Sequence, residues 1–240
     1  MHLLYSDKFN KSHLTILFLL FSFCSLAQSK QESGITISAN ADIYSRYIWR
    51  GSALSSGPVF QPGLSASYKD FTLGYYGSYK IAGTGDNEIN LFISKSFGPL
   101  TLEIWDYWSY DNFNIREIKN YNRATTSHLL EGIVTLSAGE FAPLSLSAGW
   151  LFYGTDATNS IYIELQYAIP VKRSEVVFTA GYQANGTYYS DRRGFVNLSA
   201  TYNQPLAVSE KVSLDLILSL TANPAEKRVF FTAGISIYNN

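Results

Sequence analysis

The residues of this chain able to do chemistry are charged side chains set among apolar neighbours. Asp42, Arg46 and Arg50 fall at intervals of four in the stretch 41–63, ADIYSRYIWRGSALSSGPVFQPG. On an extended chain that spacing keeps side chains on one face. Lys80, Glu103, Glu131, Glu164 and Asp215 likewise sit on the polar side of an apolar/polar alternation. Charges gathered on one face of many strands can select ions along a pore. They can equally pair and fill the interior, Arg46 and Arg50 with carboxylates such as Glu103 or Glu164. Acidic members outnumber basic ones, so a pore lined by them would mildly prefer cations. A second chemistry rests on His128. With Ser127 and Thr126 beside it and Ser109 closing the preceding strand, it could form the nucleophile–base pair of a barrel-embedded lipid hydrolase or acyltransferase.

Other chemistries lack the residues. Cys24 is the only cysteine, and His128 is the only histidine after residue 13. Neither a thiolate nor a Cys/His metal site can be assembled from that supply, and no cofactor motif is present. The chain carries 18 basic and 19 acidic residues, so no basic excess points to nucleic acid.

The elements that must hold the charges are short strands. Val212, Leu214, Leu216, Leu218 and Leu220 alternate with Ser213, Asp215, Ser219 and Thr221, only Ile217 breaking the pattern. Ile161, Ile163, Leu165, Tyr167 and Ile169 oppose Tyr162, Glu164 and Gln166 in the same way. Period-two alternation is the mark of a strand with two unlike faces. It predicts strands at 35–49, 59–68, 71–80, 87–97, 100–110, 128–138, 143–153, 159–169, 175–185, 194–203, 210–221 and 228–238. Tight turns such as Lys69-Asp70 and Gly98-Pro99 alternate with looser segments such as 111–127, as in a membrane barrel with short periplasmic turns and longer outer loops.

Aromatic residues make up 15% of the chain and charged residues 15%, against about 25% charged in ordinary globular proteins. Tyr47, Trp49, Trp108, Tyr110 and Trp150 are expected at the outer rim, and Tyr68, Phe71, Phe97 and Tyr167 at the inner one. Two aromatic belts fit two membrane–water interfaces. Asp106 is the anomaly, since it shares the lipid-facing register of Leu102, Ile104 and Trp108. Either a bulge shifts that register or Asp106 lies above the bilayer. Loop 111–127, with Asp111, Arg116, Glu117, Lys119 and Arg123, suits a solvated cap or a fold-in constriction.

Residues 1–27 read as a secretory signal: Lys8 and Lys11, an apolar run from Leu14 to Leu26, and Ser25-Leu26-Ala27 before the expected cleavage. The expected organisation is a signal peptide, 1–27, and an all-β, transmembrane, antiparallel up-and-down barrel of about twelve strands, 28–240. Expected partners are outer-membrane lipids, small hydrophilic solutes and the outer-membrane assembly machinery, for which Thr232-x-Gly234 with Ile235, Ile237 and Tyr238 approximates an insertion signal. A closed structural or adhesive barrel is the third alternative to pore and enzyme.

Ser45-Arg46-Tyr47-Ile48-Trp49-Arg50-Gly51, then Gln61-Pro62-Gly63-Leu64 and Gly74-Tyr75-Tyr76-Gly77-Ser78, resembles the opening of the TorF family of porins. The motifs cover residues 42–80. The resemblance implies an outer-membrane barrel that acts as a channel, and carries over no substrate and no catalytic residue.

Overall fold

The computed structural model describes residues 34–207 and 212–239; the signal peptide expected at 1–27 lies outside them. The elements are β1 (Ile35–Tyr44), β2 (Ile48–Trp49), β3 (Ser52–Ala53), β4 (Val59–Tyr68), β5 (Phe71–Lys80), β6 (Asn87–Phe97) and β7 (Leu100–Tyr110). They continue with β8 (His128–Ser137), β9 (Leu144–Gly154), β10 (Ile161–Val171), β11 (Ser174–Asn185), β12 (Gly194–Ala207), β13 (Val212–Asn223) and β14 (Arg228–Asn239). β1 and β4 to β14 form one closed antiparallel barrel of twelve strands, and β2 and β3 form a separate small hairpin.

Alternation dictates this closure. Ile93 faces Ile104 across β6 and β7, and both are exposed on the outer wall, as are Leu102, Leu146 and Phe178. A wall so apolar meets lipid, where only a closed ladder satisfies every backbone N–H and C=O. Inward-facing partners are hydroxyls at one end, including Ser67 with Thr72 at 2.9 Å and Ser96 with Thr101 at 3.1 Å. The two-residue turns at that end place Lys69 (φ 55°), Gly98 (φ 60°) and Lys172 (φ 59°) in the left-handed region, as tight hairpins require. By the usual asymmetry of loop lengths this end is periplasmic and the long loops are extracellular.

The seam of the barrel is thin. β1 pairs with β14 only from Asn40 to Tyr44, whereas it pairs with β4 over its whole length. Below Asn40 the side chain of Asn239 stands in for backbone: its Oδ1 accepts from Ala39 N at 2.6 Å and its Nδ2 donates to Ile37 O at 3.1 Å.

The expected first strand, 35–49, is corrected. β1 ends at Tyr44, where Ser45 is tied to β14 by Ser45 N to Ala233 O, 2.8 Å, and Ala233 N to Ser45 Oγ, 3.0 Å. Beyond Ser45 the chain leaves the wall and turns into the lumen.

Candidate functional site

The segment 45–58 fills the extracellular half of the lumen, and its backbone explains how. β2 and β3 pair Ile48 with Ala53 and Trp49 with Ser52, leaving Arg50 (φ 50°) and Gly51 (φ 80°) as the two residues at the tip. Gly51 sits so close to β12 that a Cβ there would run into the Val196 carbonyl oxygen. Asn223 Nδ2 holds the Gly51 carbonyl at 3.2 Å. The base of the hairpin is fixed by Ser55, whose Oγ accepts from Tyr47 N at 2.9 Å and donates to Gly57 O at 2.7 Å.

Arg50 is the centre of this plug. Its guanidinium donates to both Glu131 oxygens, at 2.6 and 3.2 Å, and to the hydroxyl of Tyr189. It also lies over the rings of Tyr162 and Trp49, at 4.4 and 4.9 Å. Glu131 has no exposed side chain and also accepts from Tyr107 OH at 2.8 Å. A carboxylate buried that far needs this set of donors, because an unpaired one costs several kcal/mol. Around the pair pack Leu129, Leu151, Tyr162, Tyr189 and Val196, with Trp49 and Tyr107 against them.

The placement of Tyr47 and Trp49 is a second correction. Neither belongs to the outer aromatic belt. Tyr47 OH donates to Glu88 at 3.2 Å inside the barrel, and Trp49 packs on Tyr107 at 5.4 Å and Tyr189 at 5.6 Å. Rings that would be free to meet lipid from a continuing strand find more contact around the Arg50–Glu131 pair.

The plug divides the interior. An inner cavity of about 500 Å³ and an outer one of about 410 Å³ share only Tyr47, Trp49 and Tyr107 among their lining residues. The second and third sequence motifs join physically: Gln61 Nε2 donates to Ser78 Oγ at 3.1 Å, and Tyr76 OH donates to Gln61 Oε1 at 2.9 Å.

The remaining candidates are scattered through the lumen. Asp42 is buried and accepts from Ser236 Oγ at 2.6 Å and Asn40 Nδ2 at 3.0 Å. Arg46 lines the inner cavity and donates to Ser56 O at 3.2 Å. Glu103 accepts from Trp105 Nε1 at 3.0 Å, and Asp215 from Tyr238 OH at 3.2 Å. Glu164 accepts from Tyr162 OH, and from Gln166 Nε2 at 2.7 Å. The expected pairing of Arg46 and Arg50 with Glu103 or Glu164 is replaced by Arg50 with Glu131. Lys80 stands at the rim, bound to Asp111 at 2.7 Å and Gly85 O at 2.9 Å. Glu88, buried and bonded to Tyr47 and Asn90, completes the set and was missed in the alternation beside the turn at 81–86.

His128 lies on the other side of the wall. The register of β7 and β8 is unbroken from Leu100 to Trp108, so Asp106, Trp108 and His128 all face outward and no bulge moves Asp106. His128 Nδ1 meets Asp106 Oδ1 at 2.7 Å, and Tyr121 OH donates to Asp106 Oδ2 at 2.5 Å. The ends of loop 111–127, Asp111 and Ser127, border the outer cavity, but its middle neither caps nor constricts the lumen. It folds back over the outer wall, Phe113 against Trp108 and Tyr121 stacked on His128 at 4.2 Å. Trp108 is accordingly buried and is not a lipid-facing belt residue. His128 Nε2 has no hydrogen-bond partner, Thr126 Oγ1 only accepts from the His128 backbone N–H, and Ser109 and Ser127 line the outer cavity. The nucleophile–base pair of the hydrolase alternative is not formed.

A closed twelve-stranded barrel with an apolar outer wall and a polar interior resides in the bacterial outer membrane. No family model matches the sequence, and no curated protein matches it. Among solved structures the chain is similar to an outer membrane channel from Pseudomonas putida F1, 14% identical over 88% of this chain and 98% of that one, with a TM-score of 0.47. It is also similar to the translocator domain of the autotransporter NalP from Neisseria meningitidis, 11% identical over 96% of each chain, TM-score 0.40. An anion-selective porin from Comamonas acidovorans is 12% identical over 87% of this chain and 99% of that one, TM-score 0.33.

Proposed function

We propose that the protein is a porin-like channel for passive diffusion of small hydrophilic solutes, restricted at one level by the segment 45–58. The observation that carries this reading is the pair of cavities, each with polar and charged side chains in its lining, meeting at Tyr47, Trp49 and Tyr107. A barrel filled only for strength would gain more from apolar packing than from a buried ion pair. Mild cation preference follows from the lumen charges. Asp42, Glu103, Glu164 and Asp215 are held by neutral donors, while Arg50 is neutralised by Glu131. The motif resemblance to the TorF family supports the same reading, and lipids, solutes and the assembly machinery remain the partners it implies.

The test is single-channel conductance of the refolded protein in a planar bilayer, with the reversal potential in a salt gradient. Small discrete steps with a cation-selective reversal potential are expected, and Glu164→Gln should weaken the selectivity. A correctly folded barrel that passes no current removes the channel reading.

A further inference from the structure

Beneath the plug, the inner cavity has two unlike walls. On one side Trp105 stacks on Phe92 at 4.3 Å and on Tyr107 at 5.6 Å, and both Trp105 and Tyr107 line the cavity with Trp49 and Tyr76. Gly74 makes this wall possible, since a Cβ there would collide with the Phe92 ring. On the other side β12, β13 and β14 present Ser199, Thr201, Ser219, Thr221 and Thr232, all hydroxyls. Asn90 and Asn197, also lining residues, each keep a buried amide oxygen with no hydrogen-bond partner. Three charged groups line the cavity, Arg46, Arg50 and Glu103, and the charge of Arg50 is already balanced by Glu131 behind it. The lining is thus close to neutral. Its volume, about 500 Å³, lies within the range of small-molecule sites.

We propose that the inner cavity is a binding subsite for a neutral polyhydroxylated ring solute, a mono- or disaccharide. A sugar ring has an apolar C–H face and a rim of hydroxyls that both donate and accept. The first suits an aromatic wall, and the second suits a facing wall of hydroxyls and amide oxygens. An organic cation would meet two arginines and one carboxylate, and an anion would meet Glu103 with Arg46 as the one cation not already balanced by a carboxylate. The proposal rests on the channel reading for the solute's route, while binding itself does not require conduction.

The experiment is isothermal calorimetry of the full refolded protein in detergent with maltose and D-glucose, and with glycine betaine and sodium glutamate as charged or zwitterionic probes. Saturable binding of a sugar is expected, weakened about tenfold by Trp105→Ala, the scale of losing one aromatic contact surface. Thr221→Val, which keeps the side-chain shape and removes only the hydroxyl, should weaken it severalfold if Trp105→Ala does not fold. No saturable heat with either sugar, equal heat with betaine or glutamate, or unchanged binding in a folded variant of both kinds overturns the proposal. Sugar binding by a protein that passes no current would overturn the channel reading and leave the subsite standing. Current without sugar binding would do the reverse.

Discussion

Two long extracellular segments, 45–58 and 111–127, both carry aromatics and charge, yet one lies inside the barrel and the middle of the other folds over its outer wall. Each ends on a carboxylate that strand parity places awkwardly. Glu131 faces inward among Leu129, Leu151 and Tyr162, and Arg50 reaches down to it. Asp106 faces outward in the register of Leu102 and Ile104, and His128 with Tyr121 closes over it. The side on which a loop falls is decided less by its own composition than by the face on which the wall holds a charge needing partners. The inward loop can bear on permeation, and the outward one shields a charge from lipid.

Breaking the inward lock should have the largest effect. Arg50→Ala leaves Glu131 buried and unpaired, a cost of about 3–5 kcal/mol that the two-residue strands β2 and β3 cannot offset. The plug is expected to leave the lumen, raising single-channel conductance severalfold and opening the Arg46 bond to trypsin. Arg50→Met with Glu131→Leu, which removes both charges, should restore the plugged state. Unchanged conductance in Arg50→Ala would mean the plug does not limit passage.

Gly51→Ala tests the same lock through the backbone. At φ 80° an L side chain strains the tip by about 1–3 kcal/mol, and the added methyl must also push the tip off the Val196 carbonyl. A flickering, intermediate conductance is expected, between the native value and that of Arg50→Ala. The Arg50–Glu131 contact alone would be sufficient if the substitution leaves the current trace unaltered.

The wall of the barrel is legible in the sequence because lipid on one side and water on the other force strict alternation, and the closed barrel has the expected number of strands. The plug was hidden by the same rule. Tyr47 and Trp49 continue the apolar parity of β1, so alternation alone extends the strand to residue 49. Length held the missing signal: a strand over 35–49 has fifteen residues, more than the roughly 9–11 that span a tilted membrane strand. Among the candidate residues, Asp42, Glu103, Glu131, Glu164 and Asp215 sit on inward-facing strand positions, whereas Arg46 reaches the inner cavity from the plug beyond the end of β1, and only contacts across the barrel select Glu131 as the partner of Arg50. Such pairings join residues some eighty positions apart and leave no periodic trace.

The outward lock should break more gently and without changing conductance. Tyr121→Phe removes one hydrogen bond to a carboxylate, worth about 1.5–3 kcal/mol, while His128 stays on Asp106. Faster amide exchange over 113–126 is expected with an unaltered current. Alkali should do the same in the native protein. Burial first, then the bond to Asp106, pushes the Tyr121 phenol from 10.0 up to about 12. Its stabilising contribution is therefore complete below pH 10 and is lost as the pH rises through about 12. A change in conductance over that window would tie the outer loop to the pore and undo the contrast between the two segments.

The smallest effect belongs to a loop with neither task. Asp156 begins the connection between β9 and β10, accepting from Thr158 N at 2.9 Å, Thr158 Oγ1 at 2.6 Å and Ser160 N at 2.5 Å. Burial alone would raise its pKa, but these donors outweigh burial and hold the carboxyl below its ordinary 3.8. A lowered folded value means the contribution is present above pH 3.8 and fades as the pH falls through that lowered value. Exchange over 156–160 should quicken only in that acid window, with Asp156→Ala reproducing it at neutral pH and the conductance unmoved. Asp156 accepts from its own loop alone, and that loop reaches the plug only indirectly, through Thr158 and Ser160 to the 187–188 backbone and from Tyr188 edge-on to Trp49 at 6.0 Å; an acid-induced rise in current that Asp156→Ala copies would show that this route couples the loop to the plug.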